Sequence, residues 1–293
     1  MASFRTALLG TLATCASLAL AVAACAQQEG IPPSAPAGEL PEASALITAA
    51  LDKMAASEKR DEVKSISLTG TMDMDPPMDE DMAGPQVESF AAKLLLPDKY
   101  NLLASFTGGE SAVAAHDGEH GWQSDPGDPS FSVMDENEAG MFSLIVPHSL
   151  LLAIDDLYPV RKTEEEVEID GAKHYRIALA PAEGEDGIDL FIHAETGRFA
   201  ALESDADGAP VRVSVTEWET DDGINLPSAA RLDLGMGEMG PKMMLTYSDV
   251  TLNNVDEAVF KMPDEVKRQI ADDDGGDMTG DDEGDGGGGS TSI

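Results

Sequence analysis

KYNLLASFTGGESAVAAHDGEHGWQS, residues 99–124, is the stretch that decides the fold. Apolar and polar side chains alternate along it, and Gly108-Gly109 and Asp117-Gly118 cut it into pieces. Alternation at period two sends successive side chains to opposite faces of a strand. A two-residue Asp-Gly favours a tight hairpin. The spacing gives three successive strands, over 99–107, 110–116 and 119–124.

The same pattern extends both ways. Upstream, Pro97-Asp98 closes a strand over 87–96, and Val63, Ile66, Leu68 and Gly70-Thr71 mark an earlier one. A loop rich in Met, Asp and Pro, 73–85, lies between them. Downstream, strands read over 160–169, 172–180, 187–193, 197–204, 210–219, 225–234 and 243–252. Asp170-Gly171, Thr196-Gly197, Asp207-Gly208 and Asp222-Gly223 punctuate them.

Two segments carry a helical period instead. Pro41 suits a first helical position, and Leu46, Ile47, Ala50, Leu51, Met54 and Ala55 follow as one apolar stripe, which the polar stretch from Ser57 to Asp61 ends. The second segment is 136–158, split by Pro147, with Leu150, Leu151, Ile154 and Leu157 on its apolar face. About a dozen antiparallel strands form a sheet long enough to curl. The expected fold is α+β: a curved antiparallel half-barrel of residues 41–270, with helices covering the concave face.

The chain ends read as non-globular. Arg5 followed by an uncharged run from Thr6 to Ala24 has the form of a secretory signal peptide, 1–24. It leads into Val22-Ala23-Ala24-Cys25, which resembles the lipobox of bacterial lipoproteins and implies acylation of Cys25. Ordinary cleavage after Ala23 or Ala26 is the alternative. Cys15 leaves with the signal, so Cys25 is the sole thiol of the mature chain and has no disulfide partner. Residues 25–40 read as the lipidated N-terminus and a flexible tether. Residues 271–293 hold eight acids, no base and many glycines, the composition of a disordered tail.

Charge narrows the partners. Fifty-six acids against 18 bases give −38. Such a surface repels phosphate backbones, so no nucleic acid is expected, and it repels anionic headgroups, so membrane attachment should be covalent. The acidity fits solubility in a salty compartment, or a saline habitat. Aromatics make up 5% of the chain and 14 residues are Met, so the core must be mostly aliphatic and adaptable.

Several pieces, taken in order, resemble one family. They are Ile66-Ser67-Leu68-Thr69-Gly70-Thr71-Met72, Leu96-Pro97-Asp98-Lys99-Tyr100, Asp117-Gly118 with Gly121-Trp122 and Pro126, Gly171 to Ile177, Leu190 to Gly197, Gly223 to Pro227, and Asn253 to Phe260 with Pro263. Their order is similar to that of the outer-membrane lipoprotein-sorting family (LolA/LolB-like). The resemblance implies a half-barrel whose lidded concave face binds acyl chains. Burial of a methylene gives about 0.8 kcal/mol, so one long acyl chain contributes roughly 10 kcal/mol gross. Candidate lining residues are Leu51, Met54, Leu103, Phe106, Trp122, Phe142, Ile145, Leu151, Ile154 and Trp218. Trp122 and Trp218 also read as plain core anchors. Anchoring at Cys25 is closer to the family's lipidated receptor than to its released carrier. Ala26 lacks the look of an inner-membrane retention signal, which points to the outer membrane, facing the periplasm.

Motifs of catalysis are not present in the chain: no G-x-S-x-G, H-E-x-x-H, P-loop or dinucleotide fingerprint occurs. His148-Ser149 reads as a polar pair at a helix start, and Asp155-Asp156 and Glu164-Glu165-Glu166 as solvated faces. His116 and His120 bracket a turn and lack the convergent ligands that a metal wants. Met72, Met74, Met78 and Met82, with Met236, Met239, Met243 and Met244, are soft ligands suited to Cu(I), or apolar rims. The expectation is a non-enzymatic binder of lipid or acylated lipoprotein without cofactor or metal. The alternatives are an envelope sensor or scaffold acting on another envelope protein, and Cu(I) binding.

Overall fold

The chain is described from a computed structural model, over residues 40–75, 86–184, 187–206, 209–234 and 242–274. The signal segment, Cys25, the tether up to residue 39 and the tail from residue 275 lie outside the described residues. The first half of the sheet comprises β1 (Ser65–Asp75), β2 (Val87–Leu95), β3 (Lys99–Phe106), β4 (Ser111–His116), β5 (Gly121–Ser124) and β6 (Phe131–Met134). The second comprises β7 (Val160–Ile169), β8 (Ala172–Ala180), β9 (Ile188–His193), β10 (Phe199–Ala206), β11 (Ala209–Asp221), β12 (Ile224–Asp233) and β13 (Lys242–Leu252).

These 13 strands form one open sheet in the order β6-β5-β4-β3-β2-β1-β13-β12-β11-β10-β9-β8-β7. Every neighbouring pair is antiparallel. Each half is a meander, and the halves join where the first strand meets the last, with Ile66 opposite Leu252 and Met72 opposite Leu245. β6 and β7 follow one another in the chain yet form the two far edges. The segment between them holds α3 (Glu136–Ile145), α4 (Pro147–Leu152) and α5 (Ile154–Leu157).

That connection dictates the curl. Thirteen strands at about 4.8 Å spacing would span roughly 58 Å if flat. Helices of 10, 6 and 4 residues reach about 30 Å at 1.5 Å per residue, and the few remaining linkers add too little to close the gap. The edges must therefore bend toward each other. Accordingly α3 touches β4 and β5 on one arm and β10 and β11 on the other. The opening helix α1 (Ala43–Met54) packs likewise between β7, β9 and β12.

Alternation places the core on the concave side. Leu102, Ala104 and Phe106 of β3, Ile177 and Leu179 of β8, Leu190 and Ile192 of β9, and Leu245 and Tyr247 of β13 all enter one cluster with Ile47, Ala50, Leu51 and Met54 of α1. The convex side carries cross-strand ion pairs, directly opposite for Glu165 with Arg176 at 3.1 Å and Glu203 with Arg212 at 2.5 Å, and diagonal for Arg176 with Asp189 at 2.7 Å.

Local differences from the sequence reading have physical causes. The polar stretch after α1 does not end the helical region: Ser57–Glu62 forms a second short helix, α2, which buries nothing. β6 has no signature in the sequence because its four residues are too few to show a period. A C-terminal helix, α6 (Asp264–Asp274), runs into the expected tail; its Val266 is fully buried.

Gly70 marks a close approach inside the sheet. A Cβ there would stand 2.7 Å from the Thr246 carbonyl oxygen and closer still to the Phe90 ring. Around Gly140 in α3 the same test finds open space. Gly70→Ala should lower the unfolding free energy by about 2 kcal/mol. Gly140→Ala should raise it by about 0.5–1 kcal/mol through helix propensity. Urea titration of both variants measures the two opposite shifts.

Candidate functional site

The candidate site is the layer between the concave face and the helices. Of the proposed lining residues, Leu51, Met54, Phe106, Phe142, Ile145, Leu151 and Ile154 are buried there in one continuous cluster. Trp218 is half-buried against that cluster, where β11 breaks register. Leu103 and Trp122 stand elsewhere. Leu103 falls between the inward Leu102 and Ala104 and is 42% exposed on the outer face. Trp122 opposes Ala115 and is buried under Val266 of α6, in a separate cluster on the convex side. Both are therefore corrected out of the lining; with its period of two, a strand puts neighbours on opposite faces.

Buried apolar side chains of α1 and of α3 to α5 pack in this layer. Met72 and Met74 pack onto the core, in which Met243 is buried, so these thioethers serve the sheet; Met78, Met82, Met236 and Met239 lie outside the described residues. A pocket of about 240 Å³ opens where the β2–β3 turn meets the three helices. Pro97, Tyr100, Ala139, Leu150, Leu157 and Tyr158 give it apolar walls, with Asp98, His116, Ser143 and Ser149 also lining it. Its volume is below the 300–1,000 Å³ usual for small-molecule sites, so a long chain would need the helices to move.

Among the described residues, few polar contacts tie α3, α4 and α5 to the sheet. Tyr100 donates its hydroxyl to the Ala139 carbonyl of α3 at 3.0 Å, and Tyr247 donates to the Ile145 carbonyl at 2.8 Å. His148 Nε2 donates to the Pro227 carbonyl of β12 at 2.8 Å, with its ring edge-on to Tyr247 at 4.7 Å. Arg161 of β7 holds the far end, donating to the Tyr158 and Ile154 carbonyls at 2.6 and 3.3 Å and pairing with Asp155 at 2.6 Å. Asp135 and Glu138 close a capping box at the start of α3.

Burial sets the chemistry of these groups. It pushes the Tyr247 phenol up, and it does the same for Tyr100, where the Glu138 charge adds to the effect. His148 is driven down to about 4 by desolvation, against a smaller upward pull from its bond to Pro227. Its Nδ1 has no hydrogen-bond partner, so the ring is held neutral in an apolar setting. The sequence marks His148-Ser149 as a polar pair at a helix start, and α4 does begin there, but both residues are buried. A histidine inside the apolar run from Val146 to Leu152 was the available signal.

The other histidine pair builds a turn. His116 Nδ1 accepts the Gly118 amide at 3.1 Å, and His116 stacks on Tyr100. Asp117 Oδ1 accepts the amides of Glu119 and His120 at 3.1 and 2.9 Å. Among the described residues no three His, Cys, Asp or Glu side chains gather as a metal site.

No family model matches the chain, and no curated protein matches it. Solved structures similar to it include a DUF1329 family protein from Desulfovibrio piger, at 13% identity over 75% of this chain and 97% of the other, TM-score 0.48. A LolA superfamily protein from Nitrosomonas europaea matches at 14% identity over 76% and 99%, TM-score 0.48. A domain described as outer membrane lipoprotein-sorting, from Vibrio parahaemolyticus, matches at 13% identity over 73% and 95%, TM-score 0.45. All three TM-scores lie below 0.5, so function has to be sought in this chain's own residues.

His148 makes stability depend on pH. Its folded-state value lies below that of the unfolded chain, so the unfolded chain binds the extra proton. The stabilisation is complete above about 6.5 and is lost as pH falls toward about 4, at about 1.4 kcal/mol per unit. Denaturant unfolding at pH 7 and pH 4.5 should show this loss in the wild type. His148→Gln should lack it, and the difference between the two removes the common effect of the many carboxylates.

Proposed function

We propose that this protein is an exported, membrane-anchored lipoprotein that binds lipid or the acyl chains of lipoproteins between its sheet and its helices. One observation carries the reading. The concave face is covered by α1 and, between the two sheet edges, by three short helices held by an apolar layer and, among the described residues, a handful of polar contacts, with a pocket already open at one end. Replacing helix side chains by an acyl chain exchanges one apolar surface for another, so the exchange needs little net free energy. The resemblance of the sequence to the lipoprotein-sorting family points the same way, as does the lipobox-like Val22-Ala23-Ala24-Cys25. An acylated Cys25 would hold the domain at the envelope, with the outer membrane favoured by Ala26. No catalytic constellation enters this reading.

A second reading has its own support. Many apolar side chains of the layer are buried against one another, which suits a sensor or scaffold that keeps the fold and works through its surface. Lipid occupancy separates the two.

Native mass spectrometry of protein purified from its own envelope should show a co-purifying lipid and an acyl mass on Cys25. A fluorescent fatty acyl probe should bind the delipidated protein. Ser143→Trp, which fills the pocket mouth, should weaken that binding by about tenfold, in line with loss of a few buried methylenes. Tyr100→Phe, which frees α3, should speed probe entry. Absence of lipid and of probe binding in folded protein would favour the scaffold.

A further inference from the structure

The convex face holds an exception to the acidity of this chain. At the tip of the β7–β8 hairpin, Asp170 and Gly171 both have positive φ, 51° and 78°. The tip folds back over the sheet, and Asp170 Oδ2 accepts from Arg231 Nη2 at 2.8 Å, although β7 and β12 are far apart in strand order. A groove of about 280 Å³ is left beneath it. Two neighbouring strands break register at this groove: β10 between Phe199 and Ala201, and β11 between Val215 and Trp218. Bulges re-aim side chains and are frequent beside functional sites.

The polar groups gathered there are donors. Among the described lining residues, Arg198 and Arg231 face a single acid, Asp170, in a chain with 56 acids and 18 bases. Among the described residues the Arg198 guanidinium has no ion-pair partner. His193 Nδ1 accepts the amides of Glu195 and Thr196 at 3.2 and 3.3 Å, which puts the imidazole proton on Nε2. In the floor, Ser214 Oγ and Arg231 Nε are buried without a hydrogen-bond partner. Asp170 shows that an anion is accepted: its carboxyl lies below the usual range, first through the hydrogen bond from Arg231 and then through that residue's charge.

We propose that this groove binds a phosphate group, taken between Arg198, Arg231 and the His193 Nε2–H, with Asp170 as the internal anion it displaces from Arg231. Two guanidinium groups, an imidazole N–H and a hydroxyl converge from several directions, which suits the tetrahedral oxygens of a phosphate group better than the planar pair of a carboxylate. Displacement of Asp170 would free the hairpin tip. The phosphate could belong to a small ester or to a lipid headgroup.

Full-chain protein should be titrated with inorganic phosphate and with glycerol phosphate at constant ionic strength, following the His193 imidazole by NMR. A parallel arm should measure sedimentation with phosphatidylglycerol vesicles against phosphatidylcholine vesicles. Saturable shifts, or vesicle binding, are expected, and the arm that responds names the source of the phosphate. Arg198→Gln should weaken binding at least about tenfold, since it removes a charge-assisted donor that serves no ion pair in the fold. Asp170→Asn should tighten it about threefold by removing the competitor. No saturable response in either arm, an Arg198→Gln protein that binds like the wild type, or an Asp170→Asn protein that binds no tighter would each overturn the proposal.

Discussion

Everything in this molecule depends on one connection that is too short for a flat sheet. The chain leaves the sheet at one edge and re-enters it at the other, with three short helices between. Curvature follows from that reach, and so does the side on which the helices lie. A connection that bridges two edges must cross a face, and only the concave face brings the edges within range. The same crossing buries the apolar sides of the helices against the inward residues of both arms, so curvature and core form together.

Two kinds of contact hold the cover, and they differ in what they resist. The apolar layer has no direction, and slides or repacks at little expense when another apolar surface takes its place. The hydrogen bonds of Tyr100, Tyr247, His148 and Arg161 fix register and position. The neutral bonds of Tyr100, Tyr247 and His148 are worth about 0.5–1.5 kcal/mol net each, and those of the charged Arg161 about 1.5–3 kcal/mol, enough to choose one arrangement and too little to forbid another. His148 differs from the rest because its ring must stay neutral to remain where it is. The convex face follows another rule: its cross-strand ion pairs are partly exposed and contribute modestly to stability.

How far the sequence could be read followed from physics. Long strands with clear alternation and Asp-Gly or Thr-Gly turns, such as β7 to β9, were legible to within a residue or two, because the turn chemistry marks both ends. β6 and α2 were not, since four or six residues carry no measurable period. The helix α6 hid because its composition merges into the acidic tail and only Val266 is fully buried. Within the candidate site, the apolar residues of α1 and α3 to α5 could be named from their spacing. Leu103 and Trp122 were misplaced by face, an error of one residue in a period of two. The tyrosines and His148 that fix the cover were invisible, because their partners are backbone carbonyls, which no sequence pattern displays.

The central claim is that the dry layer under the helices can exchange its own side chains for a greasy guest. Isotope-edited NMR on methyl-labelled protein saturated with a protonated acyl lipid tests it most directly. Transfer between chain methylenes and the methyls of Leu150, Leu151 and Ile154 is the expected result. Transfer confined to outward residues such as Leu103 would contradict it.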